Sequence, residues 1–193
     1  MEDVTNSAIT PELANSINAV FSETAELSNY LISIADDIVK SYSDYLDAVM
    51  QAIYTDVVTN KDCSDDTLEK YFLELSSTLY FVGEQVERIG ISNDVAESNF
   101  KEKFNTMYLN ACAEKDEKGK SIRTVNENTA VASESSKYEK MVSEVQSRAY
   151  ELLKYKVGAA QTMVGTLSKM ISKKMSDASL TMTTNRGTQD DKI

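Results

Sequence analysis

Six cations crowd one stretch of this chain: Arg148, Lys154, Lys156, Lys169, Lys173 and Lys174 fall within 145–174, where Glu151 is the only acid. Ammonium and guanidinium groups neutralise phosphates, and each contact releases a condensed counterion. Five or six such charges on one chain support weak, salt-sensitive binding of a nucleic-acid backbone. A ring of identical subunits would multiply them through avidity. The same cations would equally serve to face acidic helices, within the chain or across subunits. Arg148 also has Glu144 four residues before it, a favourable helical pairing distance.

Other chemistry is poorly provided for. The chain has no histidine, which removes the commonest general base and metal ligand. Two isolated cysteines, Cys63 and Cys112, cannot build a structural zinc site without it. They are expected as free thiols, with a disulfide between them the less favoured alternative. The glycines stand singly, so no phosphate-cradling loop is present. The sequence predicts no catalytic residue, no metal and no cofactor.

The net charge of −11 hides a division. Residues 1–114 carry 21 acidic against 6 basic side chains, and residues 115–193 carry 10 against 14. The front half would repel nucleic acid, and the late part of the chain would attract it. The acidic run of the front half reads as a solvated face, with a docking surface or a nucleic-acid mimic as alternatives.

The elements that must position these groups are helices. Six glycines and one proline leave few breaks, and no strand-like alternation occurs. Thr10 before Pro11 marks the first helix start. A series from Leu13 through Ile17, Val20, Leu27, Leu31, Ile34, Ile38, Leu46 and Ile53 to Val57 then predicts a helix over about 11–59. Asn60 to Asp65 reads as a turn. Asp66 with Glu69 reads as a capping box opening a helix over 66–89, whose seam of Leu68, Phe72, Leu75, Leu79, Val82, Val86 and Ile89 stops at Gly90. Asp94 with Glu97 opens a third helix over 93–113. The aromatics Tyr71, Phe72, Tyr80, Phe81, Phe100, Phe104 and Tyr108 read as core, not as a base-stacking platform.

Residues 115–123 form a charged loop with a glycine, expected to be a hinge or mobile tip. Thr124 and Glu127 then make a capping box for a partly basic helix over 124–178. Its stripe is Val131, Ser135, Tyr138, Val142, Val145, Ala149, Leu152, Ala159, Met163, Leu167 and Met170. Gly158 and Gly165 lie two turns apart beside Ala159, at a cost of about 1 kcal/mol each relative to alanine. Close approach of another helix, and self-association through Gly158, Ala159 and Gly165, would explain them; so would a bend in the rod. Residues 1–9 are expected to fray, and 179–193 to form a flexible tail.

The pattern from Thr124-Val125 through Glu127, Glu134, Tyr138, Tyr150, Leu153 and Lys154 to the segment Leu167–Lys174 resembles the UvsY-type recombination mediators of bacteriophages and related small helical phage proteins. The resemblance covers about a quarter of the chain. It implies an oligomer that binds single-stranded DNA through Lys154, Lys156, Lys169, Lys173 and Lys174 and works with a recombinase or single-strand-binding protein. The long acidic front half departs from that family's pattern.

The sequence thus predicts an all-α fold, an elongated antiparallel helical bundle with long coiled-coil-like helices. The leading functional expectation is a non-enzymatic, homo-oligomeric, phage-like accessory protein of DNA recombination or replication. The alternative is a structural or virion-associated adaptor, scaffold or tail component that binds only proteins. No eighteen-residue apolar run and no signal-peptide pattern occur, so a cytoplasmic or virion location is expected.

Overall fold

Heptad spacing sets the architecture. In the computed structural model, which describes residues 11–59 and 63–187, four α-helices form and no strand appears among the described residues. They are α1 (Pro11–Ile53), α2 (Asp65–Ala113), α3 (Val125–Ser135) and α4 (Lys137–Gly187), with a π-helical segment (Tyr54–Thr59) closing α1. The all-α reading holds. Residues 1–10, 60–62 and 188–193, which include the expected Thr10 cap, half of the expected Asn60–Asp65 turn and the chain end, lie outside the described residues.

On α2 the buried positions Leu68, Leu75, Val82, Ile89 and Ala96 recur every seven residues. On α1 Val39, Leu46 and Ile53 do the same, and on α4 Leu153, Ala160 and Leu167. A seven-residue repeat keeps one face of each helix turned to its partners over many turns. Together these residues form one continuous core, flanked by half-buried Phe72, Val86, Met163 and Met170. At 1.5 Å per residue, α2 and α4 are rods of roughly 75 Å.

Directions follow from the contacts. Tyr45 on α1 donates to Glu74 on α2, and Tyr71 on α2 to Asp56 of the π-helical segment, so α1 and α2 run antiparallel. Asp47 meets Lys156 while Asp65 meets Lys174, so α4 advances in the same direction as α1 and opposite to α2. The result is a three-helix bundle at one end. At the other end, among the described residues, α2 pairs with α3 and the start of α4 alone.

Several boundaries differ from expectation. Gly90 ends nothing: α2 runs unbroken from Asp65 to Ala113, so the separate helices over 66–89 and 93–113 are one. A Cβ at Gly90 would lie 3.3 Å from the Tyr150 ring, and close approach of α4 is the reason for glycine there. The cap of α2 is Ser64, whose side chain accepts from the Thr67 N–H at 3.2 Å, not Asp66.

The Thr124–Glu127 capping box forms as read, with Glu127 accepting from the Thr124 N–H at 2.7 Å. The long helix it opens is nevertheless interrupted at Ser136. That side chain is fully buried and donates to the Ala132 carbonyl at 2.7 Å, competing with the backbone ladder. Past the break the expected stripe holds at Val145, Ala149, Met163, Leu167 and Met170, but Leu153 and Ala160 are core where Leu152 and Ala159 were expected, and those two are exposed. The helix also continues beyond 178 to Gly187, into the stretch expected to be a flexible tail.

The 115–123 loop is a latched turn. The Asp116 carboxylate accepts from the N–H groups of Lys118 at 2.9 Å and Lys120 at 2.8 Å. Gly119 takes φ 76°, a left-handed conformation that glycine adopts without strain. An Arg123–Glu114 ion pair at 2.6 Å closes its base, so the expected hinge is tied on both sides.

Candidate interaction surfaces

The 3–4 seam of α4 runs Ala149, Leu153, Lys156, Ala160, Met163, Leu167, Met170, Lys174. Two lysines therefore occupy inward positions of the heptad. The Lys156 ammonium donates to the hydroxyl of fully buried Ser43 at 3.1 Å and to the Asp47 carboxylate. Ser43 itself donates to Asp47 at 3.0 Å, which completes a polar layer inside the apolar seam. Lys174 donates to the Cys63 carbonyl at 2.6 Å and pairs with Asp65 at 2.7 Å, next to the start of α2.

The remaining cations divide further. Arg148 pairs with Glu151 at 3.2 Å; the expected partner Glu144 pairs instead with Lys140 at 3.7 Å. Lys154 lies over the Tyr150 ring, 5.0 Å from its centroid. Lys169 and Lys173 are exposed and make no ion pair among the described residues. They stand about 22 Å or more along the helix from Lys154. The six cations are thus not one patch.

Gly158, Ala159 and Gly165 face outward. A Cβ at either glycine would meet nothing within 4 Å, so no helix among the described residues approaches them closely. Among the expected core aromatics, Phe100, Phe104 and Tyr108 form a half-buried stack along α2. Tyr80 and Phe81 instead pair edge-to-face on the surface. Phe81 helps line an open groove of about 560 Å³ with Tyr42, Tyr45 and Thr78.

The largest departure from expectation is at the front of α1. Every described side chain from 18 to 30 is exposed, with Val20 at 62%, Phe21 at 70% and Tyr30 at 64%. The same face becomes core from Leu31 onward. A cleft of about 560 Å³, lined by Ser28, Leu31, Ile32 and Ala35 against Val145 and Arg148, marks where α1 parts from α4. The α2–α3–α4 end it leaves uncovered exposes Ile91, Val95, Tyr138 and Val142.

Near that end Asn128 is buried. Its amide donates to the Cys112 thiol at 3.3 Å, and its Oδ1 has no partner. The Tyr108 hydroxyl also hydrogen-bonds Cys112, which holds its ionisation above the usual tyrosine value. Cys63 and Cys112 are both free thiols. Among the described residues no group of three His, Cys, Asp or Glu is placed to hold a metal, and no helix is long and apolar enough to cross a membrane.

The roles of Ser43, Asp47 and Asp65 went unread in the sequence. A signal for them existed, because Lys156 and Lys174 sit at seam positions and so demand partners on the facing helices. Compared with protein-family models, curated proteins and solved structures, the chain matches none.

Proposed function

We propose that this protein is a non-enzymatic helical assembly protein that works through protein–protein contacts, as a structural, adaptor or scaffold component. The observation that carries this reading is the bare front of α1. Val20, Phe21 and Leu27 are exposed on a helix whose later turns bury the positions in register with them, Ala35 and, in part, Ile34. Contiguous apolar surface of this kind marks a contact site. The inward use of Lys156 and Lys174 supports the reading from the other side, since it removes two cations from any phosphate-binding set.

A second reading keeps the resemblance to phage recombination mediators, with single-stranded DNA as ligand and a recombinase or single-strand-binding protein as partner. Lys169 and Lys173 favour it, being exposed, one turn apart and without an acidic partner among the described residues. A labelled single-stranded oligonucleotide titrated with the protein at about 50 mM salt separates the two. The protein-contact reading expects no saturable binding. Saturable binding abolished by Lys169→Glu/Lys173→Glu would replace it with the second.

A further inference from the structure

The bundle changes from three helices to two along its length. Where α1 packs, each of α2 and α4 has two neighbours. Beyond the cleft at Ser28–Ala35, α2 has among the described residues only α3 and the first turns of α4. The open side there is a shallow groove of about 270 Å³ lined by Ala96, Asn99, Tyr138, Glu139 and Val142. Ile91, Val95 and Val142 stand exposed beside or within it.

The helix that would fill this position exists in the same chain and is bare. Phe21 lies fourteen residues before Ala35, in register with buried Ala35 and Val49. Val20 and Leu27 precede half-buried Ile34 by fourteen and seven. Fourteen residues are close to four turns, so one face runs from buried seam to bare stripe without turning away. Likewise the groove on α2 and α4 prolongs the surface that already receives α1. Both halves of one interface are present, continuous with its formed part, and apart.

They do not close within one chain. Between Glu12 and Ile53 there is no glycine and no proline, so α1 lacks the residues at which helices kink sharply. We therefore infer that the front half of α1 fills the third-helix position over the α2–α3–α4 end of a second copy, and that two copies do this reciprocally. A two-fold exchange covers both bare surfaces on both chains and leaves none to propagate. A twenty-residue helix face is about 30 Å long and about 10 Å wide. Two such contacts bury on the order of 1,200 Å², the lower bound for a stable specific interface.

The inference rests on the protein-contact reading, and its test is separate from the oligonucleotide titration. Sedimentation equilibrium of the full chain from about 1 to 100 μM should give a mass rising to twice 21.4 kDa. Val20→Glu/Leu27→Glu on the helix and Val142→Glu in the groove should each weaken the dimer at least tenfold. All three side chains are exposed in the single chain, so far-UV helicity should stay unchanged. In a mixture of Phe21→Cys and Val142→Cys chains, both in a Cys63→Ser/Cys112→Ser background, oxidation should join one chain to the other. A monomer at every concentration overturns the inference. So does a dimer indifferent to either the helix or the groove substitutions.

Discussion

The Lys156 ammonium reaches across from α4 to the hydroxyl of Ser43 on α1, 3.1 Å away and fully buried. Asp47, one turn further along α1, accepts from both. A charged layer inside a heptad seam stabilises less than apolar packing would, but it admits only one register between the two helices. Because α1 and α4 run parallel, a slide of one heptad would set either Met50 and Tyr54 or Asp36 and Lys40 opposite Lys156 in place of Ser43 and Asp47. The layer thus favours the alignment that sets the α1 front at the level of the α2–α3–α4 end.

Removing that cation should destabilise the fold. Lys156 is 28% exposed and Asp47 47%, so solvent screens the pair in part. Lys156→Ala is expected to lower stability by about 1–2 kcal/mol, read from the urea midpoint. Lys169→Ala, on the open surface, should change it by less than about 0.5 kcal/mol. Lys156→Met, which keeps length and adds apolar contact, should fall between them. Equal effects at 156 and 169 would contradict the seam assignment.

The glycines should divide by surroundings. Gly83, Gly158 and Gly165 have open space where a Cβ would go, so alanine at each should add about 0.5–1 kcal/mol through helix propensity. Gly90→Ala should forfeit that gain, because its Cβ must push the Tyr150 ring back by a few tenths of an ångström. Gly90→Leu should cost about 1–3 kcal/mol. Thermal melts of the four alanine variants decide this. A stabilised Gly90→Ala matching Gly158→Ala would contradict the close approach of α2 to Tyr150.

Alkaline pH should loosen the join between the π-helical segment and α2. The Asp56 carboxylate accepting from the Tyr71 hydroxyl, with lesser help from burial, pushes that phenol up to about 12. The neutral phenol is the bonded form, so its contribution is complete below pH about 10 and is lost as pH rises from about 10 to about 12. An absorbance titration of tyrosinate should show a late-ionising group that Tyr71→Phe removes. Loss of no late component in that variant would contradict the assignment.

Much of the bundle was legible because its seam is regular. Leu68, Leu75, Val82 and Ile89 obey one period without interruption and were read correctly, as was the Thr124–Glu127 cap. Gly90 misled because an interior glycine that clears room for a ring has the same local signature as a helix end. The α4 stripe holds at Val145, Ala149 and Leu167 and misses by one residue at Leu153 and Ala160, where two adjacent apolar residues each fit the period and only the facing helices decide between them. Lys156 and Lys174 stood among the candidate phosphate contacts, with pairing to the acidic helices as the open alternative, because charge alone does not say which face of the heptad each residue occupies. The bare front of α1 was not legible at all. Its apolar residues keep the period of a packed helix, and only the arrangement of the other helices leaves them uncovered.

Hydrogen exchange along α1 tests the central claim most directly. An isolated amphipathic helix without a packing partner opens readily, so the amides of residues 18–30 report whether that face is covered. Residues 39–53, packed in the single chain, should be protected at every protein concentration. Protection of 18–30 should rise with concentration toward the same level and be lost in Val20→Glu/Leu27→Glu. Fast exchange of 18–30 at all concentrations, beside a protected 39–53, would contradict contact through this surface between copies of the chain.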